Sequence, residues 1–561
     1  MYADIHCHPA KVAYDSTFMA LDGLDKLPAD PWHIPQSNLQ EQILGKRAIA
    51  YSQCDLAKST QARVKLMFAA LYPIEKGFFY GKPGGRIDKK IMTEYYRRFH
   101  FDGEDLAVEW FIRRLKSQKG LERVKKSDLE FLRNRMTQLP LERVGHIQNG
   151  SYDYFEELKL QYKFYLSKAG EKSITYEKLQ LEPKGPQQSW QGTYQLARTG
   201  SDVLYKLRPD NDDVILVLTI DGIHSLGIGN PEDDIFRGAR EPKDVSIGIL
   251  KSRIRQLKGE EQLEDSEISR WSHRPLYITF AQNFDNTLCG HARSFPILSE
   301  HFYDQSKNIN AGILKSAAHE VLCELLGLDK TLLPTGSKRI LIDVKHMSAA
   351  ARQDFYKSIV RPHNRKFENC DNKIPVIASH VGYAGVYGLE ELISNANKGL
   401  EADDFQINRF KAWNINLCDE DVIEIHQSSG LIGISLDQQL LGYYGRSWVS
   451  TLSIPLLEKR TAIKLLAHTL EHFIHIPFEY HLAHPHRIWD VLCLGSGFDG
   501  SIDPINRYAT VLDMSRLEED LIQIIRKIKR EYPKRVVDRS PEQLARKICF
   551  ENAYDFVVEN Y

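Results

Sequence analysis

Eight short runs of nearly unbroken apolar residues punctuate the chain. They are Tyr2–His6, Val64–Tyr72, Val214–Ile220, Leu276–Ala281, Ile340–Val344, Pro375–Ser379, Leu431–Leu436 and Val491–Ser496. Strands with one wet face alternate apolar and polar residues; continuous apolar runs suit parallel strands buried on both faces. Between the later runs lie stretches with helical periodicity: Ala311–Leu326, Ala349–Ile359, Asp419–Gln427 and Thr461–Ile474. Strand–helix alternation reads as repeated βαβ units. Eight such units closing on themselves predict a (β/α)8 TIM barrel. An open doubly wound sheet would place a glycine-rich phosphate turn after its first strand. Here that turn is His6-Cys7-His8-Pro9.

Two connections exceed what a minimal barrel needs. One runs from about residue 10 to 62 and the other covers 73–212. The second is rich in charge and aromatics (KKIMTEYYRRFHF, EDLAVEWFIRRLKSQKG). The predicted division is therefore 1–72, carrying the first two strands and the long connection; 73–212, a mostly helical insertion that caps the site or mediates subunit contacts; and 213–561, the rest of the barrel with its closing C-terminal helices.

Composition narrows the function classes. The chain has 561 residues, is 42% hydrophobic and 27% charged, and carries a formal net charge of −1. That balance offers no electrostatic case for nucleic acid or an anionic membrane. A basic run such as Arg123–Lys126 reads as a solvated helix face. No apolar run approaches the roughly 18 residues of a membrane span, and no signal-peptide pattern opens the chain. The eight cysteines contain no CxxC pair, which suits a reducing compartment. The expectation is a cytoplasmic protein, with a homo-oligomer left open.

Candidate chemistry collects at the C-terminal ends of the predicted strands, where barrel enzymes place their catalytic groups. His6 and His8 end the first strand; residues two apart on a strand share a side. Asp221 follows the third run, His346 the fifth and His380 the sixth. Four imidazoles and a carboxylate meeting at one barrel mouth would hold one or two divalent ions. A second histidine group, His468, His472, His475, His481, His484 and His486, has no HExxH pattern. It reads as a helix face and a loop.

The sequence around these positions resembles the renal (membrane) dipeptidase family, peptidase family M19, within the amidohydrolase-like enzymes. The blocks are Ile220-Asp-Gly-Ile-His-Ser225, Tyr277-Ile-Thr-Phe-Ala-Gln-Asn283, Ile342-Asp-Val-Lys-His-Met-Ser348, Ile374-Pro-Val-Ile-Ala-Ser-His380, Gly495-Ser-Gly-Phe-Asp-Gly500 and Asn552-Ala-Tyr-Asp-Phe556. Residues 73–212 have no counterpart. The resemblance implies a two-metal barrel hydrolase of dipeptides and related amides, with two zinc ions expected. It implies His6 as a first-strand ligand and His346 and His380 as ligands to the second ion. Asp221 stands where the family has a bridging glutamate, and His8 where it has an aspartate. Gln282 aligns with the histidine that steadies the oxyanion. Gly497 aligns with the catalytic aspartate, leaving Asp499 as the candidate proton relay. Arg409 is the nearest candidate for the arginine that grips the substrate carboxylate. His224 is a further candidate substrate contact.

The expected function is thus metal-dependent hydrolysis of a dipeptide or small amide. The alternative is a catalytically impaired relative that keeps its metal and serves as a binding or scaffolding protein.

Overall fold

The computed structural model describes residues 1–18, 30–32, 52–79, 139–149, 151–177, 189–207, 213–228, 244–265, 267–295, 304–313, 316–368, 372–398, 406–407, 410–442, 455–500, 502, 504–536 and 538–561. Arg409, the basic run 123–126 and residues 80–138 of the expected insertion lie outside the described residues.

Eight parallel strands form the expected barrel. They are β1 (Tyr2–Cys7), β2 (Val64–Leu71), β3 (Val214–Ile220), β4 (Tyr277–Thr279), β5 (Leu341–Asp343), β6 (Ile377–Val381), β7 (Leu431–Ile434) and β8 (Leu492–Leu494). Each pairs with the next in sequence order. A ninth short strand, Tyr194–Leu196, adds alongside β3. The ring closes near the strand ends through a parallel bridge between Cys7 and Phe498. Gly497 N donates to His6 O at 2.9 Å and His8 N to Phe498 O at 3.1 Å. Below this seam the buried Asp4 carboxylate accepts from Ser496 N (3.0 Å), Ser496 Oγ and His6 N (3.1 Å).

The continuous apolar runs have a direct explanation. On β3, Val214, Leu216, Leu218 and Ile220 join the large outer core between strands and helices. Ile215 and Val217 join a separate inner core with Ala3, Ile5, Leu66, Phe68, Tyr277, Leu341, Ile377, Leu431 and Cys493. Both faces are dry, so both phases are apolar. Higher in the interior the side chains turn polar. Thr279 Oγ1 donates to Asp343 at 3.0 Å, and Ser379 N and Lys345 N donate to the same carboxylate at 3.0 Å each. Strands approach closely there: a Cβ on Gly433 or Gly495 would lie 1.8 Å from Ser379 O.

The helical expectations hold with shifted ends. Ser316–Leu326 precedes β5. Ala349–Phe355 follows it, capped by Ser348 Oγ, and runs on through Tyr356–Val360 into Arg361–Lys366. Asp419–Ser428 precedes β7, and Pro455–Glu479, longer than expected, precedes β8. Within 73–212, helix Tyr154–Leu166 is capped by the Asp153 carboxylate and buries Phe155, Leu158, Tyr162 and Tyr165 in the outer core of the barrel. Among the described residues no helix is long and apolar enough to cross a membrane.

Candidate metal centre

The five expected ligands gather at the C-terminal mouth of the barrel. β1 shows register shifts between Tyr2 and Ala3 and between Asp4 and Cys7; such irregularities re-aim side chains at barrel rims. His6 and His8 emerge there with ring centroids 5.3 Å apart. Asp221 follows β3 in the inward phase of Ile215 and Val217. His6 Nε2 lies 3.8 Å and His8 Nε2 3.7 Å from Asp221 Oδ2. These separations exceed a hydrogen bond. Tetrahedral ligands about 2.1 Å from a shared ion stand roughly 3.4 Å apart, so a small contraction brings the three onto one cation. His6, His8 and Asp221 offer ligand atoms all within 4.8 Å of one another.

His380 stacks on His6 at 4.0 Å, and His346 lies 5.5 Å from His380. His346 has φ +65°, a conformation that disfavours a non-glycine residue and gathers at functional sites.

The Nδ1 atoms of His6, His346 and His380 are held. Tyr277 gives its hydroxyl proton to the Ile5 carbonyl and lies 3.3 Å from His6 Nδ1. Ser294 Oγ is 3.2 Å from His346 Nδ1 and Ser379 Oγ 2.8 Å from His380 Nδ1. Partners on Nδ1 fix the ring and leave Nε2 as the ligand. His8 Nε2 and Asp221 Oδ1 are buried without a hydrogen-bond partner. Such orphaned atoms are costly unless something satisfies them, and the donor set fits a divalent cation. Gly500 keeps the corner open, since a Cβ there would press to 3.1 Å from His8 Nε2.

Burial sets the protonation states. It lowers His6, His346 and His380 well below the usual imidazole range and His8 to about 3. All four are neutral and ligand-ready near pH 7. Burial, with Asp343 and Glu75 nearby, raises Asp221 to about 8. A cation would favour its ionised form.

The other expected residues divide. Gln282 is buried beside Gly222, where a Cβ would lie 3.1 Å from Gln282 Cβ, and its Oε1 lacks a partner. His224 packs against Tyr154 and Tyr72 with centroids 5.0 and 5.9 Å away, and its Nε2 bonds to Pro73 O at 2.7 Å. It lies outside the ligand cluster.

The expectation for Asp499 is corrected. Its carboxylate accepts from Gln53 N (2.9 and 3.1 Å), Cys54 N (2.9 Å) and Cys54 Sγ (3.2 Å). Gly497 has φ +75° and Asp499 φ +61°. These left-handed turns break strand phase, and the acid clamps the 52–54 loop instead of facing the ligands. Position 497 itself faces them: a Cβ on Gly497 would lie 3.6 Å from His380 Cδ2.

Two residues passed over in the sequence belong here. Lys345 follows Leu341 and Asp343 in the inward phase of β5; it is 1% exposed, and Nζ has no hydrogen-bond partner. Burial lowers it to about 7. Glu75 accepts from Tyr72 Oη (3.1 Å), Asn283 N (3.2 Å), Asn283 Nδ2 (3.0 Å) and Phe284 N (3.0 Å). It ties the loop after β2 to the segment carrying Gln282. The phase of Leu341 and Asp343 is the signal that could have marked Lys345; nothing local marks Glu75.

No family model matches this chain, and no curated protein matches it. Solved structures similar to it include the dipeptidase AC, a metallopeptidase of family M19 (12% identity, TM-score 0.40, covering 94% of this chain and 97% of that one). Another is a metallopeptidase from Rhodobacter sphaeroides liganded with a phosphinate mimic of L-Ala-D-Ala (12%, 0.39, 94% and 97%). A third is the probable dipeptidase PvdM from Pseudomonas aeruginosa (12%, 0.40, 91% and 88%). Likenesses this distant do not decide function for this chain.

Proposed function

We propose that this protein is a metal-dependent hydrolase that cleaves a dipeptide or related small amide at the barrel mouth. The observation that carries the reading is the buried trio His6, His8 and Asp221, with ligand atoms within 4.8 Å and two of them unsatisfied. When bound, a divalent ion such as zinc supplies Lewis acidity toward a carbonyl and makes a nucleophile of water near neutral pH.

The chain's own residues do the rest. His6, His8 and Asp221 hold the ion, while Tyr277 fixes the His6 ring. Gln282, kept in place by the Glu75–Asn283 bonds next to it, offers an amide donor to oxygen charge that develops on the substrate. His224, with Nδ1 unpartnered behind Gly222, is the proposed contact for a polar substrate group. The arginine anchor remains assigned to Arg409, outside the described residues.

One observation favours a second reading, a metal-binding protein with impaired catalysis. Position 497 lacks an acid and Asp499 is spent on the 52–54 loop, so among the described residues no acid following β8 joins the ligand group.

The test is metal analysis of purified protein together with turnover of a dipeptide panel. Bound ion plus hydrolysis, both lost in His8→Ala, supports the hydrolase. Bound ion without turnover supports the second reading. Protein that binds no divalent ion overturns both.

A further inference from the structure

The four mouth histidines are not held alike. Tyr277, Ser294 and Ser379 stand at Nδ1 of His6, His346 and His380. Among the described residues no side chain bonds to Nδ1 of His8, although the ring is buried. The direction of that ring is therefore set through its backbone and through what packs on it.

The backbone is held from two sides. On one side His8 N donates to Phe498 O at 3.1 Å across the barrel seam. On the other stands the segment inserted after β2. Lys11 N closes a turn onto His8 O at 3.1 Å. Within that turn Ala10 N donates to Tyr165 Oη, from helix Tyr154–Leu166, at 3.2 Å. Further along, in helix Lys11–Ser16, Asp15 accepts from Arg143 Nε at 3.0 Å. Arg143 belongs to helix Leu141–Gln148, is fully buried and also bonds to Glu157. Its guanidinium carbon lies 5.2 Å from the centre of the Tyr14 ring. A buried guanidinium shared by two carboxylates is a rigid anchor, because removing any partner strands a charge. Gln161 ties the same insertion to the end of β2, accepting from Tyr72 N at 2.8 Å and donating to Tyr72 O at 2.9 Å. Between these anchors lies a cavity of about 10 Å3 bordered by His8, Tyr14, Phe164 and Tyr165. That is room for roughly one water, so side-chain packing alone leaves the ring space to swing on this side.

We propose that Tyr165 and Arg143 are positioning residues of the metal centre. From the inserted segment they fix the turn after β1 and so aim His8 at the ion. This rests on the reading of His6, His8 and Asp221 as a metal centre. The other mouth histidines are steadied at the ring; His8 is steadied at the main chain, by residues at least 135 positions away in sequence. Residues 141–166 are then a working part of the barrel mouth, and metal affinity depends on how the insertion sits.

Zinc affinity, with the visible absorption of the Co2+-loaded protein as a reporter of ligand geometry, tests this without reference to turnover. Tyr165→Phe keeps the ring in the core and removes only the hydroxyl. It should weaken zinc binding about 10-fold, the low end of the range for groups standing behind a ligand, and shift the Co2+ bands. Arg143→Lys, which keeps the charge and loses the fork, should act in the same direction. Tyr480→Phe is the control: it removes a 3.0 Å hydrogen bond to Asp419 outside the barrel and should change neither readout. Unchanged affinity and bands in a folded variant overturn the role of the residue it removes. An equal change in Tyr480→Phe overturns the proposal, since any lost hydrogen bond would then suffice. Wild-type protein that binds no zinc overturns the metal centre itself.

Discussion

Two clusters in this protein have the same ingredients and opposite states. At the barrel mouth, histidines surround Asp221. On the outside, His472 of helix Pro455–Glu479 meets Asp419 at the start of Asp419–Ser428. Asp419 accepts from Tyr383 Oη at 2.5 Å, Tyr480 Oη at 3.0 Å and His472 Nε2 at 3.3 Å. The Tyr383 and His472 rings lie 3.9 Å apart. That carboxylate is satisfied by its own neighbours, and the cluster pins two helices and a loop. The mouth carboxylate instead stands 3.7–3.8 Å from its histidines and keeps an orphaned oxygen. Residue type alone does not separate a ligand site from a structural knot. Unfilled hydrogen-bonding capacity in a dry place does.

The largest expected effect breaks the mouth itself. His8→Ala should abolish metal binding and any hydrolysis. Its cost in metal affinity should exceed the roughly 10–100-fold that loss of an orienting partner brings; retention of the ion by equilibrium dialysis would remove His8 as a ligand. Tyr277→Phe removes the partner of His6 Nδ1, together with the hydroxyl's bond to Ile5 O, and should weaken metal binding about 10-fold. An unchanged affinity would show that the ring needs no such hold.

Asp499→Asn probes the boundary between the two kinds of cluster. It should destabilise the fold by about 2 kcal/mol, because backbone N–H groups of the 52–54 loop would face an amide in place of a carboxylate. Metal content should not change. A variant of unaltered stability in denaturant melts, with hydrolysis lost, would return Asp499 to a catalytic role.

A pH experiment sharpens the comparison further. In metal-free protein Asp221 is raised to about 8 from 3.8, so near pH 6.5 the native state holds a proton that the unfolded chain has released. Stability from this group therefore falls as pH rises toward 8, by about 1.4 kcal/mol per unit below that point. Asp221→Asn should flatten the slope between pH 6.5 and 7.5 by that amount. Equal slopes for the two proteins would mean that Asp221 is already ionised without metal. The smallest effect belongs to the outer cluster: Tyr480→Phe should cost about 1 kcal/mol and leave metal binding untouched.

The barrel was legible in the sequence because its strands are dry on both faces, and each of the eight apolar runs overlaps an observed strand. Tyr194–Leu196 escaped because three residues carry too little pattern. The helix before β7 was found nearly to its ends, since Cys418 and Asp421 cap its start and Ser429 turns left-handed at its close. The mouth histidines were legible because strand ends define the rim. Asp499 was misplaced because phase counting presumes an extended chain, and two positive φ angles intervene. Gln53 and Cys54, its partners, lie more than 440 positions away, beyond the reach of any local pattern. Lys345 was visible in phase, but the histidine beside it drew the chemical reading.

The seam between β1 and β8 has a consequence for how the molecule comes into being. The carbonyl of His6 and the amide of His8 supply its backbone hydrogen bonds, and their partners, Gly497 and Phe498, lie far along the chain. Contacts so distant along the chain are entropically slow to form. The ring must therefore be shut late, and until then the imidazoles of the first strand have no fixed direction. Assembly of the cradle and locking of the cylinder are one event, so a nascent chain cannot present the finished cradle before Phe498 has been made.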